Sequence, residues 1–173
     1  RMLEVMLRVV PKFPNYQFVI GCAPSLPIEF YNKIVGDNNV KFVVNKTYQL
    51  LQVASAAVVT SGTATLETAL FFVPEVICYK GNPISYSIAK RLVKVKYICI
   101  VNLIMDKPVV KELIQNDLTV ENISDELKQL LSDPKRQCSL IDDYEDLRLK
   151  LGNAGASKNA ATIIINDIKK KSK

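Results

Sequence analysis

Short, almost uninterrupted apolar runs alternate with stretches of helical periodicity along this chain, and that alternation limits its fold more than any other feature. Residues 16–22 (YQFVIGC), 40–44, 56–60 (AAVVT), 74–79 and 97–101 read as strands. Helices are expected between them. The first follows Leu3, Met6, Leu7 and Val10 and is ended by Pro11. Others cover residues 26–35, stopping at Gly36, then Asn45 or Thr47 through Gln52, about 64–72, and 83–92 opening on Pro83. Beyond the last strand, helical segments are expected at about 108–115, 120–132 and 134–150, with a terminal helix from about Ala154. Strands apolar at successive positions bury both faces, so the expected class is α/β: a Rossmann-like parallel sheet covered on both sides, with extra C-terminal helices. The 173 residues suit one such domain, residues 1–151, followed by a helix and basic tail at 152–173. A domain of this type opens on a strand and loop. This sequence opens inside a helical pattern without a capping residue, so the leading strand is expected upstream of Arg1.

Composition removes several chemistries. The chain contains no histidine, which excludes a histidine-based triad or general base within it and the common Cys/His zinc sites. Its four cysteines form no CxxC pair, and buried free thiols in a reducing compartment are expected. No apolar stretch approaches the roughly 20 residues needed to cross a bilayer, and no secretory signal is visible, which suits a cytosolic domain. The net charge of +6 concentrates at residues 90–96 (KRLVKVK) and 169–173. These runs read either as a solvated face and a frayed end or as attraction to an anionic membrane surface or a polyanionic substrate. Aromatic residues do not interleave with the basic ones as in nucleic-acid modules, so no nucleic-acid partner is expected.

The segment richest in chemistry is VVTSGTATLETALFFVPEVICY, residues 58–79. A strand ends in Thr60-Ser61-Gly62 and a helix starts within a few residues. Unsatisfied N–H groups at such a helix start carry partial positive charge, and Ser61, Thr63 and Thr65 add hydroxyls around Gly62 and Ala64. That makes a seat for a nucleotide diphosphate beyond the carboxyl end of a parallel strand. Glu67, one turn on, would repel phosphate but suits a ribose diol; ordinary helix capping with Thr63 is the alternative. Neither a Walker loop nor a GxGxxG fingerprint is present. A second cluster joins Asn102, expected just after a strand, with Glu112 and Gln115, whose spacing of three places them on one face of the expected helix. From the residues alone, polar side chains on a solvated face beside a Val109, Val110, Leu113, Ile114 core stripe are the favoured reading of all three.

Taken in order, SGTATLETALFFVPEVICYK (61–80), ISYSIAKRLVKVKYICIVNLI (84–104) and VVKELIQ (109–115) closely resemble the lipid-A-disaccharide synthase family, and the resemblance covers most of the chain. It implies a GT-B architecture of two Rossmann-like domains, this chain being most of the C-terminal, donor-binding one. It implies transfer of 2,3-diacylglucosamine from UDP-2,3-diacylglucosamine to lipid X (2,3-diacylglucosamine 1-phosphate), forming the β-1,6 lipid A disaccharide and UDP at the cytoplasmic face of the inner membrane. Residues 61–65 would face the diphosphate and Glu67 the ribose. Asn102, Gln115 and Glu112 would stand near the nucleotide end of the donor. Homodimers with exchanged C-terminal elements are a further implication.

The family's Gly-rich loop and its acceptor domain with an acidic candidate base do not occur in these 173 residues. No catalytic residue is therefore assigned to this chain, and the isolated segment is expected to be inactive. Phe71, Phe72 and Glu75 stand where similar enzymes carry small or apolar residues. An inverting displacement needs a base and stabilisation of departing UDP, and only the second belongs here, with no cofactor or metal demanded. The rival readings are another GT-B enzyme (a lipid II-forming N-acetylglucosaminyltransferase or a UDP-sugar epimerase) and a non-catalytic nucleotide-binding module.

Overall fold

The computed structural model describes residues 2–23, 25–36, 38, 40–82, 96–152 and 155–171. Helix α1 (Met2–Leu7) leads through a 3-10 turn (Val10–Lys12) into β1 (Phe18–Cys22). Then come α2 (Ile28–Val35), β2 (Val40–Val44), α3 (Thr47–Leu51), β3 (Ala57–Thr60), α4 (Thr63–Leu70) and β4 (Glu75–Tyr79). After the basic segment lie α5 (Ile100–Met105), β5 (Lys111–Ile114), α6 (Val120–Ser132), α7 (Pro134–Leu151) and α8 (Ala156–Lys171). The helix expected at 83–92, and the basic run up to residue 95, lie outside the described residues.

All described strand pairs are parallel. β1 pairs with β2 in one sheet, and the order β3-β4-β5 makes a second. Strand β4 shows why its sequence is apolar at alternate and adjacent positions alike. Val76 and Cys78 face a core with Val9, Phe13, Leu113, Ile123 and Leu127, beneath α1 and α6. Ile77 faces the opposite core with Ala69, Cys99, Val101, Leu140, Tyr144 and Leu147, beneath α4, α5 and α7. Successive side chains of a strand point to opposite faces, so a strand between two helical layers must be apolar on both. The expected α/β class with parallel strands and C-terminal helices is therefore what the chain adopts.

Local signals set several boundaries. Gly36 ends α2 at a φ of +54°, a conformation that favours glycine. Thr119 caps α6 by accepting from the Asn122 N–H. Asp133 caps α7 by accepting from the Lys135 and Arg136 N–H groups, with Pro134 at the first helical position. At α3, by contrast, neither Asn45 nor Thr47 is the cap; Lys46 holds that position without a side-chain bond.

Two expectations fail in the same region. Residues 97–101 form no strand. The Ile98 and Cys99 N–H groups donate to the Glu112 carboxylate at 3.0 Å each, so they are unavailable to a ladder, and the chain enters α5 at Ile100. Residues 108–115 form no helix, because Lys111–Ile114 is the edge strand β5, paired with β4 from Val76↔Lys111 to Tyr79↔Ile114. The adjacent apolar pairs Val109-Val110 and Leu113-Ile114 satisfy either period in so short a run. Glu112 and Gln115 consequently share no helix face, and Asn102 lies within α5 rather than after a strand.

Candidate functional site

The end of β3 delivers the chain to the carboxyl edge of the sheet. The Ser61 N–H donates to the Cys78 carbonyl at 3.0 Å, which continues the β3–β4 ladder one residue past the strand. Gly62 then occupies the N-cap position of α4, and no side chain caps the helix. At the helix start the Thr65 N–H donates to the Gly62 carbonyl at 3.2 Å. The N–H groups of Thr63 and Ala64 precede it and point out of the helix start. Gly62, Thr63 and Ala64 are exposed, so these donors meet solvent at the sheet's carboxyl edge.

The hydroxyls around this junction divide into two kinds. Thr65 is fully buried and donates to the Gly62 carbonyl at 2.7 Å, and Thr68 likewise donates to Ala64 at 2.8 Å. Both serve the helix itself. Ser61 is half-buried and donates weakly, at 3.4 Å, to the Ile98 carbonyl, while Thr63 stays on the exposed side. Glu67 is half-buried on the first turn and a half of α4.

Gly62 informs on ligand proximity in a specific way. Its φ of 160° is extended backbone open to any residue, and a Cβ built there meets nothing within 4 Å. The fold itself does not demand glycine at this point. What a side chain there would obstruct is the approach of something from outside to the N–H groups of α4.

The second cluster has a different architecture. Asn102 is buried at 1% exposure; its amide donates to the Val110 carbonyl and the Glu112 carboxylate at 2.9 Å each and accepts from the Val110 N–H at 3.0 Å. Glu112 also holds the Ile98 and Cys99 N–H groups, so one carboxylate accepts three hydrogen bonds at the start of α5. Asn102 and Glu112 together pin α5 to β5. Ile98 links this brace to the junction: its N–H is held by Glu112 and its carbonyl accepts from Ser61. Sequence reading missed that link, and no local signal could show a contact spanning 37 residues.

Gln115 stands apart from the brace. It follows β5 at the same carboxyl edge, at a φ of +53°, uncommon for a non-glycine residue, and its Nε2 is buried without a hydrogen-bond partner. Two strand spacings, about 10 Å, separate β5 from β3. A cleft of about 460 Å³ opens beside the Asn102–Glu112 brace, lined by both of those residues and by Lys96, Lys111, Glu126 and Arg136. It includes no residue of the α4 junction.

Among the described residues no group of three or more His, Cys, Asp or Glu side chains is placed to hold a metal ion, and no helix is long and apolar enough to cross a membrane. The four cysteines are free; Cys22, Cys78 and Cys99 are buried and Cys138 exposed. Burial pushes the Cys78 thiol up to about 12 and raises Cys22 and Cys99 as well, so none of the three is a poised nucleophile.

The family model for lipid-A-disaccharide synthetase matches residues 4–165. The chain belongs to that family. Curated relatives named lipid-A-disaccharide synthase include one from Geobacter metallireducens, 36% identical over 162 residues, covering 92% of this chain and 42% of the relative. One from Syntrophus aciditrophicus is 40% identical over 177 residues, covering 98% of this chain and 46% of the relative. A third, from Coxiella burnetii, is 34% identical over 165 residues, covering 95% and 44%. The chain thus spans less than half the length of these lipid-A-disaccharide synthase relatives. The matched residues 4–165 include β3, α4, β4, α5 and β5, so the junction and the Asn102–Glu112 brace both lie inside the family segment.

Proposed function

We propose that this chain is the nucleotide-sugar-binding half of a glycosyltransferase that moves 2,3-diacylglucosamine from UDP-2,3-diacylglucosamine to lipid X, releasing UDP and the β-1,6-linked lipid A disaccharide. The observation that carries the reading is the family match over residues 4–165, centred on a strand–Ser61–Gly62–helix junction with uncapped N–H groups. Those donors neutralise charge that develops on the departing diphosphate, and being held by the fold they need little reorganisation as the bond breaks. Ser61 to Thr65 take the diphosphate and Glu67 the ribose diol. The amide of Gln115 faces the nucleotide end of the donor. Asn102 and Glu112 act through the loop they hold, as positioning residues. The base that deprotonates the acceptor hydroxyl comes from outside residues 1–173.

The same reading assigns the enzyme a peripheral place at the cytoplasmic face of the inner membrane, where both lipid substrates reside. It also assigns a dimer with exchanged C-terminal elements, for which α8 is suited: Ile163, Ile164 and Ile165 are 69%, 59% and 50% exposed on a helix that ends in lysines. The test is calorimetric titration of UDP into the complete protein and its Glu67→Ala variant. Binding that weakens tenfold or so in the variant is expected; unchanged affinity removes Glu67 from the ribose. Formation of the disaccharide from both lipids by the complete protein, and none by residues 1–173, is the companion result.

A further inference from the structure

Strand β5 ends its sheet, and no described strand pairs with its outer side. The ladders fix which of its residues face that side. The Ala57 N–H donates to the Pro74 carbonyl at 2.8 Å and the Ser61 N–H to the Cys78 carbonyl at 3.0 Å, so even-numbered residues of β4 turn their backbone groups to β3. Odd-numbered residues of β4 therefore bond to β5, and with Ile77 opposite Glu112 they meet Lys111 and Leu113. Val110, Glu112 and Ile114 turn both N–H and C=O outward. Asn102 agrees with this polarity: its side-chain amide holds the Val110 carbonyl and N–H at 2.9 and 3.0 Å, as a neighbouring strand would. Beyond that plug, no described backbone group bonds to the outward side of Glu112 or Ile114.

Two adjoining clefts of about 460 and 340 Å³ follow this open edge, and Lys111, Glu112, Glu126 and Gln129 line both. The larger lies toward the start of β5 and adds Lys96 and Arg136; the smaller lies toward its end and adds Asp117 and Asp125. The groove is thus cationic at one end and acidic at the other. In its α6 wall Glu126 is 9% exposed, and its Oε1 has no hydrogen-bond partner, with the Arg136 guanidinium 3.6 Å away. We propose that this groove takes an extended peptide segment of a partner protein, added antiparallel to β5 through Glu112 and Ile114, with a basic residue first and an acidic one about four residues later. Such pairing sets one partner residue against Glu112, the next against Lys111 and the preceding one against Leu113. Those two neighbours lie on the α6 face, because Leu113 packs there with Ile123 and Leu127. An acidic side chain opposite Lys111 meets the cationic end. A basic one at the other end reaches Asp117, and a hydroxyl between them stands beside Glu126. A second copy of β5 does not supply this complement, since its residues on that face are Lys111 and Leu113 and the chain leaves the strand at Gln115 with a φ of +53°. The groove contains no residue of the α4 junction, so this role is independent of UDP binding.

The test is an NMR titration of the isotope-labelled 173-residue chain with an end-capped peptide of sequence KVTVE and, separately, its charge-exchanged twin EVTVK. The Glu112 and Ile114 amides are expected to shift with KVTVE, at an affinity about tenfold above that for EVTVK. Reversing the groove with Lys111→Glu and Asp117→Lys, both at exposed positions, is expected to reverse the preference. The Ile77 amide in β4 reports whether the sheet of that variant is formed, and the two peptides on the parent chain decide the matter if it is not. No shift at Glu112 and Ile114 with about 1 mM KVTVE overturns the proposal. Equal affinity for the two peptides does so too, as does a folded variant that keeps the parent's preference. Glu112 and Ile114 amides already shielded from solvent exchange in the peptide-free chain also overturn it, and shielding that grows with protein concentration would assign the edge to a second copy instead.

Discussion

Replacing Glu75 with methionine is expected to stabilise this protein, and by an amount that grows with pH. Glu75 opens β4 on the face of Ile77, inside the core with Cys99 and Tyr144, at 0% exposure, and neither carboxyl oxygen has a hydrogen-bond partner. Burial pushes its carboxyl from 4.5 up to about 9. The folded protein therefore keeps a proton that the unfolded chain releases from about pH 4.5 upward. Between those values the folded state binds more protons, so stability falls as pH rises, by about 1.4 kcal/mol per unit. Accumulated from 4.5, the cost is below about 1 kcal/mol at pH 5, about 3 kcal/mol at pH 7 and about 5 kcal/mol at pH 8. Methionine has similar length, no charge and no unmet hydrogen bond, so the variant escapes this dependence. Urea unfolding of both proteins at pH 5 and pH 8 reads the effect. The gap between variant and parent should widen by about 4 kcal/mol from the lower pH to the higher. A gap of equal size at both values would refute a proton-linked cost at Glu75, and a less stable variant at pH 8 would refute the burial penalty itself.

The remaining predictions concern the junction and its supports. Gly62→Ala should leave the urea midpoint of the protein unchanged, because φ and space both admit a side chain, yet weaken UDP binding to the complete protein by about tenfold or more; equal affinity in calorimetry would mean nothing approaches α4 there. Asn102→Ala strips a buried brace of three hydrogen bonds and should cost about 3 kcal/mol in urea unfolding. Tyr144→Phe should cost only about 1 kcal/mol, since the hydroxyl makes a single 3.3 Å bond to the Val73 carbonyl; a cost of several would show that it also shields Glu75.

How much the sequence disclosed depended on the range of the signal. Strands 40–44, 57–60 and 75–79 were readable because apolar runs of that length, bounded by turn residues, leave few other structures. Helices α6 and α7 match the helical segments expected at 120–132 and 134–150, and the caps Thr119 and Asp133 with Pro134 show that their starts are set by local chemistry. Residues 97–115 were misread because their structure is decided at a distance: a strand-like run, YICIV, becomes a loop and helix start only because Glu112 accepts its N–H groups. Glu75 was legible as an oddity in an apolar segment, but its lack of any partner belongs to the packing of Cys99 and Tyr144 around it.

That distant control gives Glu112 a role its sequence neighbours do not suggest. The carboxylate holds the Ile98 N–H, and the carbonyl of the same residue accepts from the Ser61 hydroxyl, so two bonds connect Glu112 to the strand–helix junction. Glu112→Gln keeps the shape but replaces one acceptor oxygen with an amide donor that must face an N–H, which breaks at least one of three bonds. The loss should cost about 2–3 kcal/mol in stability, as for hydrogen bonds to a charged group. It should also loosen Ser61 and lower UDP affinity in the complete protein through that residue. Adding Ser61→Ala separates this from general destabilisation. If Glu112 acts through Ser61, the double variant binds UDP no more weakly than Ser61→Ala alone. Fully additive losses would break the link and leave Glu112 as a brace for α5 only.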